Sequence, residues 1–253
     1  MTPTPIHYLE VYHCPFNKIR VGRKHDGGYG VCETDVKYDV LLSAGISDDI
    51  SFDNDFLKLY DIPAYAFDST IEGIPQGQYA SNKLQWVCKN IGINNNEKKT
   101  NLIEYIEKYN NIFLKMDIEG GEYGFFQALT QEHLEKISQI VIEFHQIHKY
   151  QNPTDRNSRC IDLEVLKTLN KTHTILHAHC NNTITNLPKT RDGYRVPRLL
   201  ELTLVRTTDI LKQFPNYIKR INSIPYPHAC DYPNDPNRQE VALNYYPFFK
   251  KRL

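Results

Sequence analysis

One pattern recurs along the chain and narrows the folds open to it: an apolar run ends in a small or acidic residue, and helical spacing follows. The clearest run is Asp39-Val40-Leu41-Leu42-Ser43-Ala44-Gly45, with Phe52, Phe56 and Leu59 at helical intervals inside 51–60. An apolar run without polar alternation suits a central parallel strand buried on both faces. The pattern returns at 63–68, which ends in Asp68, and at 112–118, with a helix expected over 121–137. Further strands are expected at 139–145 and at 174–179, the second after a helix over 161–170. Segments 84–93 and 100–109 read as another strand and helix, and 199–206 as a last strand. Strands alternating with helices predict a mostly parallel sheet with helices on both faces, in the Rossmann-like α/β class. Only a loop, 180–198, separates the last two strands, which leaves that pair free to run antiparallel.

The flanks read differently. Lys18–Arg23 and Tyr29–Cys32 alternate in polarity around His25-Asp26-Gly27-Gly28, a hairpin pattern. Beyond residue 212 prolines cluster and no period survives, which predicts an ordered arm wrapped on the domain. The expected organisation is a hairpin extension over 1–38, an α/β domain over 39–212 and a Pro-rich arm over 213–253. With 253 residues and 40% apolar content, one large core can be filled.

Lys+Arg and Asp+Glu both count 30, so charge gives no reason to expect nucleic acid or an anionic membrane as partner. The N-terminus lacks a secretory pattern, and no apolar run approaches the ~18 residues of a membrane span. Six cysteines without a CxxC pair read as free thiols. A cytoplasmic protein with a small-molecule substrate is expected, and a homo-oligomer is compatible with the sequence.

Ligands of open α/β sheets sit outside the carboxyl ends of the strands. Gly45 lies there with Ser47 and Asp48, where a glycine lets backbone approach a ligand at a helix start. Asp68 ends the next strand, where a carboxylate can accept hydrogen bonds from two ribose hydroxyls. No full GxGxxG is present, so no pyrophosphate cradle is evident and an adenosyl compound fits better. Ser43, Gly45, Ser47, Asp48, Asp68 and Asp117 are the candidate cofactor contacts.

Glu143 and His145 are two apart and share a face, as do His177 and His179. With Asp117 on a neighbouring strand end they form a His/carboxylate cluster, suited to a general base or an octahedral Mn²⁺, Fe²⁺ or Mg²⁺ site. His145, Asp117 and Glu119 are the candidate catalytic residues; Asp117, His145 and His179 are the candidate metal ligands. Glu122 falls in the first turn of the next helix, where the dipole favours an anion; it reads as structural or substrate-positioning. His177, Asn181 and Asn182 are candidate substrate contacts; the two amides follow the HxH pair on a loop and suit hydrogen bonding to hydroxyls. Asp26 and Tyr29 of the hairpin could close over the site.

VGRKHDGGYGV (21–31), LLSAGISDDISFD (41–53), AFDST (66–70), LKMDIEGGEYGFF (114–126) and HAHCNN (177–182) resemble FkbM-type methyltransferases. The similarity is greatest to the branch associated with capsular and other surface polysaccharides. The resemblance implies a class I methyltransferase fold with a seven-stranded sheet and S-adenosylmethionine as methyl donor. It also implies O-methylation of a hydroxyl on a sugar, either nucleotide-activated or part of a capsular glycan. By the same resemblance the Gly45 loop contacts the donor, Asp68 its ribose, and Asp117 and Glu119 lie under the transfer centre. Two other readings stay open: a nicotinamide-dependent sugar oxidoreductase and a non-catalytic nucleotide-sugar-binding protein.

Overall fold

The computed structural model describes residues 5–75, 81–147, 163–185, 187–189 and 193–251. After a short 3-10 helix (Pro5–Leu9) comes an antiparallel hairpin of β1 (Lys18–Val21) and β2 (Tyr29–Cys32). Then β3 (Val40–Ala44), α1 (Ser51–Tyr60), β4 (Ala64–Phe67) and β5 (Leu84–Val87) form the first half of the domain. A small pair, β6 (Asn90–Ile91) and β7 (Lys99–Thr100), and the single turn α2 (Ile103–Ile106) lead to β8 (Ile112–Met116). The second half holds α3 (Glu122–Gln127), α4 (Gln131–Glu135), β9 (Ile137–His145), α5 (Leu163–Thr172), β10 (His173–Cys180), β11 (Leu199–Arg206) and α6 (Thr207–Gln213).

Seven strands make one sheet in the order β10-β11-β9-β8-β3-β4-β5. The pairs from β9 to β5 are parallel, and β11 is inserted antiparallel between β9 and β10. This is the expected mostly parallel α/β fold. The apolar runs explain its centre: Val40, Leu42, Ala44, Leu114, Met116, Ile140 and Ile142 fill one core, and Leu41, Phe113 and Val141 fill the other. Alternate residues serve opposite faces, and both faces are covered. On the second face α1 sets Phe56 against Phe113 with ring centroids 4.3 Å apart.

Both flanking segments join the cores. Ile6, Leu9 and Val11 share the first core with Tyr226, Leu243 and Phe248. The hairpin lies on the sheet: Cys32 N donates to Gln139 Oε1 at 2.8 Å, and Thr203 Oγ1 donates to the Gly30 carbonyl at 2.6 Å.

Three local expectations change. The helix expected over 121–137 is broken into α3 and α4. Thr130 accepts from His133 N and donates its own N–H to His133 Nδ1, a reciprocal cap that starts a new helix. Thr130→Ala is expected to lower stability by about 1 kcal/mol, measurable by denaturant unfolding. The helix over 100–109 shrinks to one turn, because Leu102 adopts φ 58°, outside the helical region. The strand over 84–93 splits at Val87, and its second part pairs with β7 outside the main sheet. Cys14, Cys32, Cys88, Cys180 and Cys230 are free thiols; Cys160 and His148 lie outside the described residues. No helix among the described residues is long and apolar enough to cross a membrane.

Candidate active site

The carboxyl ends of β3, β4, β8 and β9 share one rim. At β3, Gly45 turns with φ +77°, and a Cβ there would overlap the Asp117 carbonyl oxygen. Asp117 N in turn donates to the Ala44 carbonyl at 3.0 Å. The two strand ends therefore touch, and only glycine fits between them. Buried Lys115 on β8 donates to the Gly45 carbonyl and sits 5.8 Å over the Tyr29 ring.

Asp68, at the end of β4, organises the adjoining loop. Its Oδ2 accepts from Ser47 N at 2.9 Å, and its Oδ1 accepts from Thr70 N at 2.8 Å and Thr70 Oγ1 at 2.6 Å. Burial works against its charge, but bonds from Thr70, Ser47 and Ile46 outweigh it and hold the carboxyl below its ordinary range. An ionised Asp68 suits ribose hydroxyls, which would have to displace the Thr70 hydroxyl. Ser47 holds φ 43° in this loop and Asp48 is exposed beside it. Ser43 does not reach the rim. It is fully buried under α1, near Asp53, because its position in β3 points to that face.

At the ends of β8 and β9 lies a cavity of about 550 Å³. Asp117, Glu119, Glu143 and His145 line one wall, and Asn181, Thr183 and Arg198 are among the residues completing it. His145 organises the wall. Its Nδ1 donates to Glu122 Oε1 at 2.9 Å, which turns Nε2 toward Glu119 at 3.2 Å, Glu143 at 3.7 Å and Asp117 at 3.9 Å. Glu119 reaches this position from a left-handed backbone (φ 56°), followed by Gly120 at φ +96°. Strained backbone of this kind gathers at functional sites.

Burial lowers the His145 pKa, but the Glu122 bond and charge, then Glu143 and Asp117, outweigh it and hold it at about 9. Burial raises Glu143 well above the carboxylate range, and Asp117 and Glu201 add to the rise. Asp117 is raised too, chiefly by burial, although Lys115 opposes this. The wall is short of positive charge. In metal-free protein His145 is expected to titrate near 9, followed by imidazole NMR. That lies above its ordinary 6.5, so its contribution to stability is complete below 6.5 and fades as pH rises through 9. Glu122→Gln is expected to move this titration to lower pH, because the largest favourable partner loses its charge.

The tertiary structure separates the other candidates. Glu122 is fully buried and does not line the cavity: its Oε1 also accepts from Ile118 N and Gly120 N, so it braces His145 from behind. Asn181 does line the cavity and donates to Glu143 Oε2 at 3.2 Å. Asn182 turns away, and its amide donates to the carbonyls of Asp235 and Arg238 in the arm. His177 is taken by Asp231 at 2.8 Å and by Lys18 at 3.2 Å. His179 is not brought to the metal candidates, since Glu201 and Glu240 occupy its two ring nitrogens at 2.9 and 3.2 Å. Glu143 stands in its place: ligand atoms of Asp117, Glu143 and His145 lie within 4.8 Å of one another. Tyr29 donates to Asp117 Oδ2 at 3.0 Å and Asp26 lines the cavity, so the hairpin does reach the site. Lys115 and Arg198 escaped the sequence reading; a lysine inside the run IFLKM was the visible signal for the first.

A Rossmann-like sheet with a glycine turn, a strand-end acid and an acid/histidine wall defines a methyltransferase-type architecture. Residues 22–177 match the family described as methyltransferase FkbM domain, and the chain belongs to that family. Family and fold support S-adenosylmethionine-dependent methyl transfer. Among solved structures, an S-adenosylmethionine-dependent methyltransferase from Listeria monocytogenes is 12% identical, covering 68% of this chain and 91% of its own, with TM-score 0.37. A chain of the fibrillarin/Nop5p complex is 10% identical over 68% of this chain and 74% of its own, with TM-score 0.36. A search of curated proteins gave no match.

Proposed function

We propose that the protein transfers a methyl group from S-adenosylmethionine to a hydroxyl of a sugar, carried as a nucleotide-activated sugar or a capsular glycan. The observation that carries this reading is the cavity wall of His145, Asp117, Glu119 and Glu143, in which the Asp117 backbone abuts the Gly45 turn. The donor fits that turn: ionised Asp68 suits a ribose diol, and the acidic wall suits a sulfonium. Bound S-adenosylmethionine supplies an electrophilic methyl group.

A sugar hydroxyl loses its proton only to a positioned base or beside a cation. His145 Nε2 faces the cavity and Glu122 holds the ring, so Nε2 takes that proton and Glu122 stabilises the imidazolium formed. The wall carboxylates hold a positive charge here, and the approach of a second cation loosens the proton from His145. Asn181 lines the cavity, bonded to Glu143 and Thr183, and its amide is the kind of group that serves sugar hydroxyls.

Asp117, Glu143 and His145 also fit a divalent cation such as Mn²⁺, Fe²⁺ or Mg²⁺. Two carboxylates and one imidazole converge, and Glu122 behind Nδ1 is the kind of partner that fixes a metal-binding histidine. Such an ion would acidify the hydroxyl as a Lewis acid.

The test incubates the protein with S-adenosylmethionine and a panel of nucleotide sugars, and looks for a gain of one methylene by mass spectrometry. Activity is expected to fall with EDTA and to return with one of the three ions. Activity that survives EDTA, with no metal in the purified protein, leaves His145 as the base alone. Binding of NAD in place of S-adenosylmethionine would overturn the reading in favour of an oxidoreductase.

A further inference from the structure

From the charge layout of this cavity we infer that the acceptor carries an oxyanion, a phosphoryl or carboxylate group, which Arg198 binds. The inference rests on the methyl-transfer reading and specifies its substrate.

Arg198 lies one residue before β11, next to the cross-strand pair of Leu199 and His145. Its carbonyl accepts from Gln146 N at 2.6 Å, which ties it to the residue after His145. Its side chain lines the same cavity as the acidic wall. Yet its Nε is buried and has no hydrogen-bond partner among the described residues. A buried guanidinium N–H left unpaired is costly, and none of the cavity's carboxylates bonds this one. Glu143 accepts from Asn181, Asp117 from Tyr29, and Asp26 from Asn234.

The cavity is therefore polar in a directed sense. One wall presents the acids Asp117, Glu119 and Glu143 around His145. Arg198, which also lines the cavity, has its Nε unpaired, and a guanidinium is a planar fork whose geometry matches phosphate or carboxylate in a bidentate manner. A neutral sugar could offer Arg198 single hydroxyl acceptors, whereas an oxyanion offers both charge and a planar pair of acceptors. An acceptor with an oxyanion at one end and a free hydroxyl at the other satisfies Arg198 and is oriented with its hydroxyl toward His145 Nε2. Its volume of about 550 Å³ falls within the range for a ligand larger than one sugar ring.

The experiment compares wild type with Arg198→Gln and Arg198→Lys, each checked for folding by circular dichroism. Methyl transfer is measured with four acceptors: a nucleoside diphosphate sugar, a sugar 1-phosphate, a uronic acid and a neutral methyl glycoside. In parallel, calorimetry measures uridine diphosphate and glucuronate binding to the protein saturated with S-adenosylhomocysteine. Arg198→Gln is expected to raise KM for the anionic acceptor, and to weaken the corresponding probe, by about tenfold or more with kcat little changed. Arg198→Lys should fall between, since it keeps the charge and loses the fork. The preferred acceptor tells phosphoryl from carboxylate. A neutral glycoside used as well as any anionic acceptor, or both probes binding wild type and Arg198→Gln equally, overturns the inference. If no acceptor is methylated, the methyl-transfer reading fails, and the calorimetry decides the oxyanion site by itself.

Discussion

Gly45→Ala is expected to lose about 3–5 kcal/mol of stability, from left-handed backbone strain and a forced parting of β3 and β8. The φ of +77° alone disfavours any side chain, and the added Cβ would overlap the Asp117 carbonyl oxygen. That oxygen is backbone and cannot rotate away, so relief requires the two central strands to separate. The same movement displaces the Ser47–Asp68 contact that shapes the loop. For a domain of this size the loss corresponds to a melting temperature lower by roughly 10 °C or more, read by calorimetry. Binding of S-adenosylmethionine should weaken with it. An unchanged melting temperature would show that β3 and β8 are not held this tightly.

His145→Ala is expected to reduce kcat by about 10²–10⁴, the range for loss of a positioned general base. The side chain touches four carboxylates, so its removal also leaves the wall with uncompensated negative charge. Retained S-adenosylmethionine binding, measured by calorimetry, separates this loss of chemistry from a loss of fold. An unchanged rate would remove His145 from the base role without touching the family assignment.

How much of this was legible beforehand differs from element to element, for physical reasons. Central strands β3, β8 and β9 are buried on both faces, so their apolar runs carry the signal whatever packs against them. Strand ends inherit that legibility, which is why Gly45, Asp68, Asp117, Glu143 and His145 could be named from their positions. The span over 121–137 misled because its apolar period continues across Thr130, while the break is made by a side-chain cap that periodicity does not register. Glu122 was placed in the right turn and read as structural or substrate-positioning; which of the two it is could not be read locally, since a helix start faces the rim and the core alike.

His145, His177 and His179 look equivalent along the chain: each lies at or near the end of an apolar strand, with a polar residue two places away. What distinguishes them comes from far off. The arm brings Asp231 to His177, 54 residues later, and Glu240 to His179, 61 residues later. Those carboxylates hold two buried histidines in structural hydrogen bonds and leave His145 facing a cavity. Local pattern therefore determined the α/β class, the central strands, and the strand ends where chemistry could lie. Which of those ends became a site was decided by tertiary packing, because a histidine's role depends on which charges surround it, and here those charges arrive from the hairpin, the opposite strand and the arm.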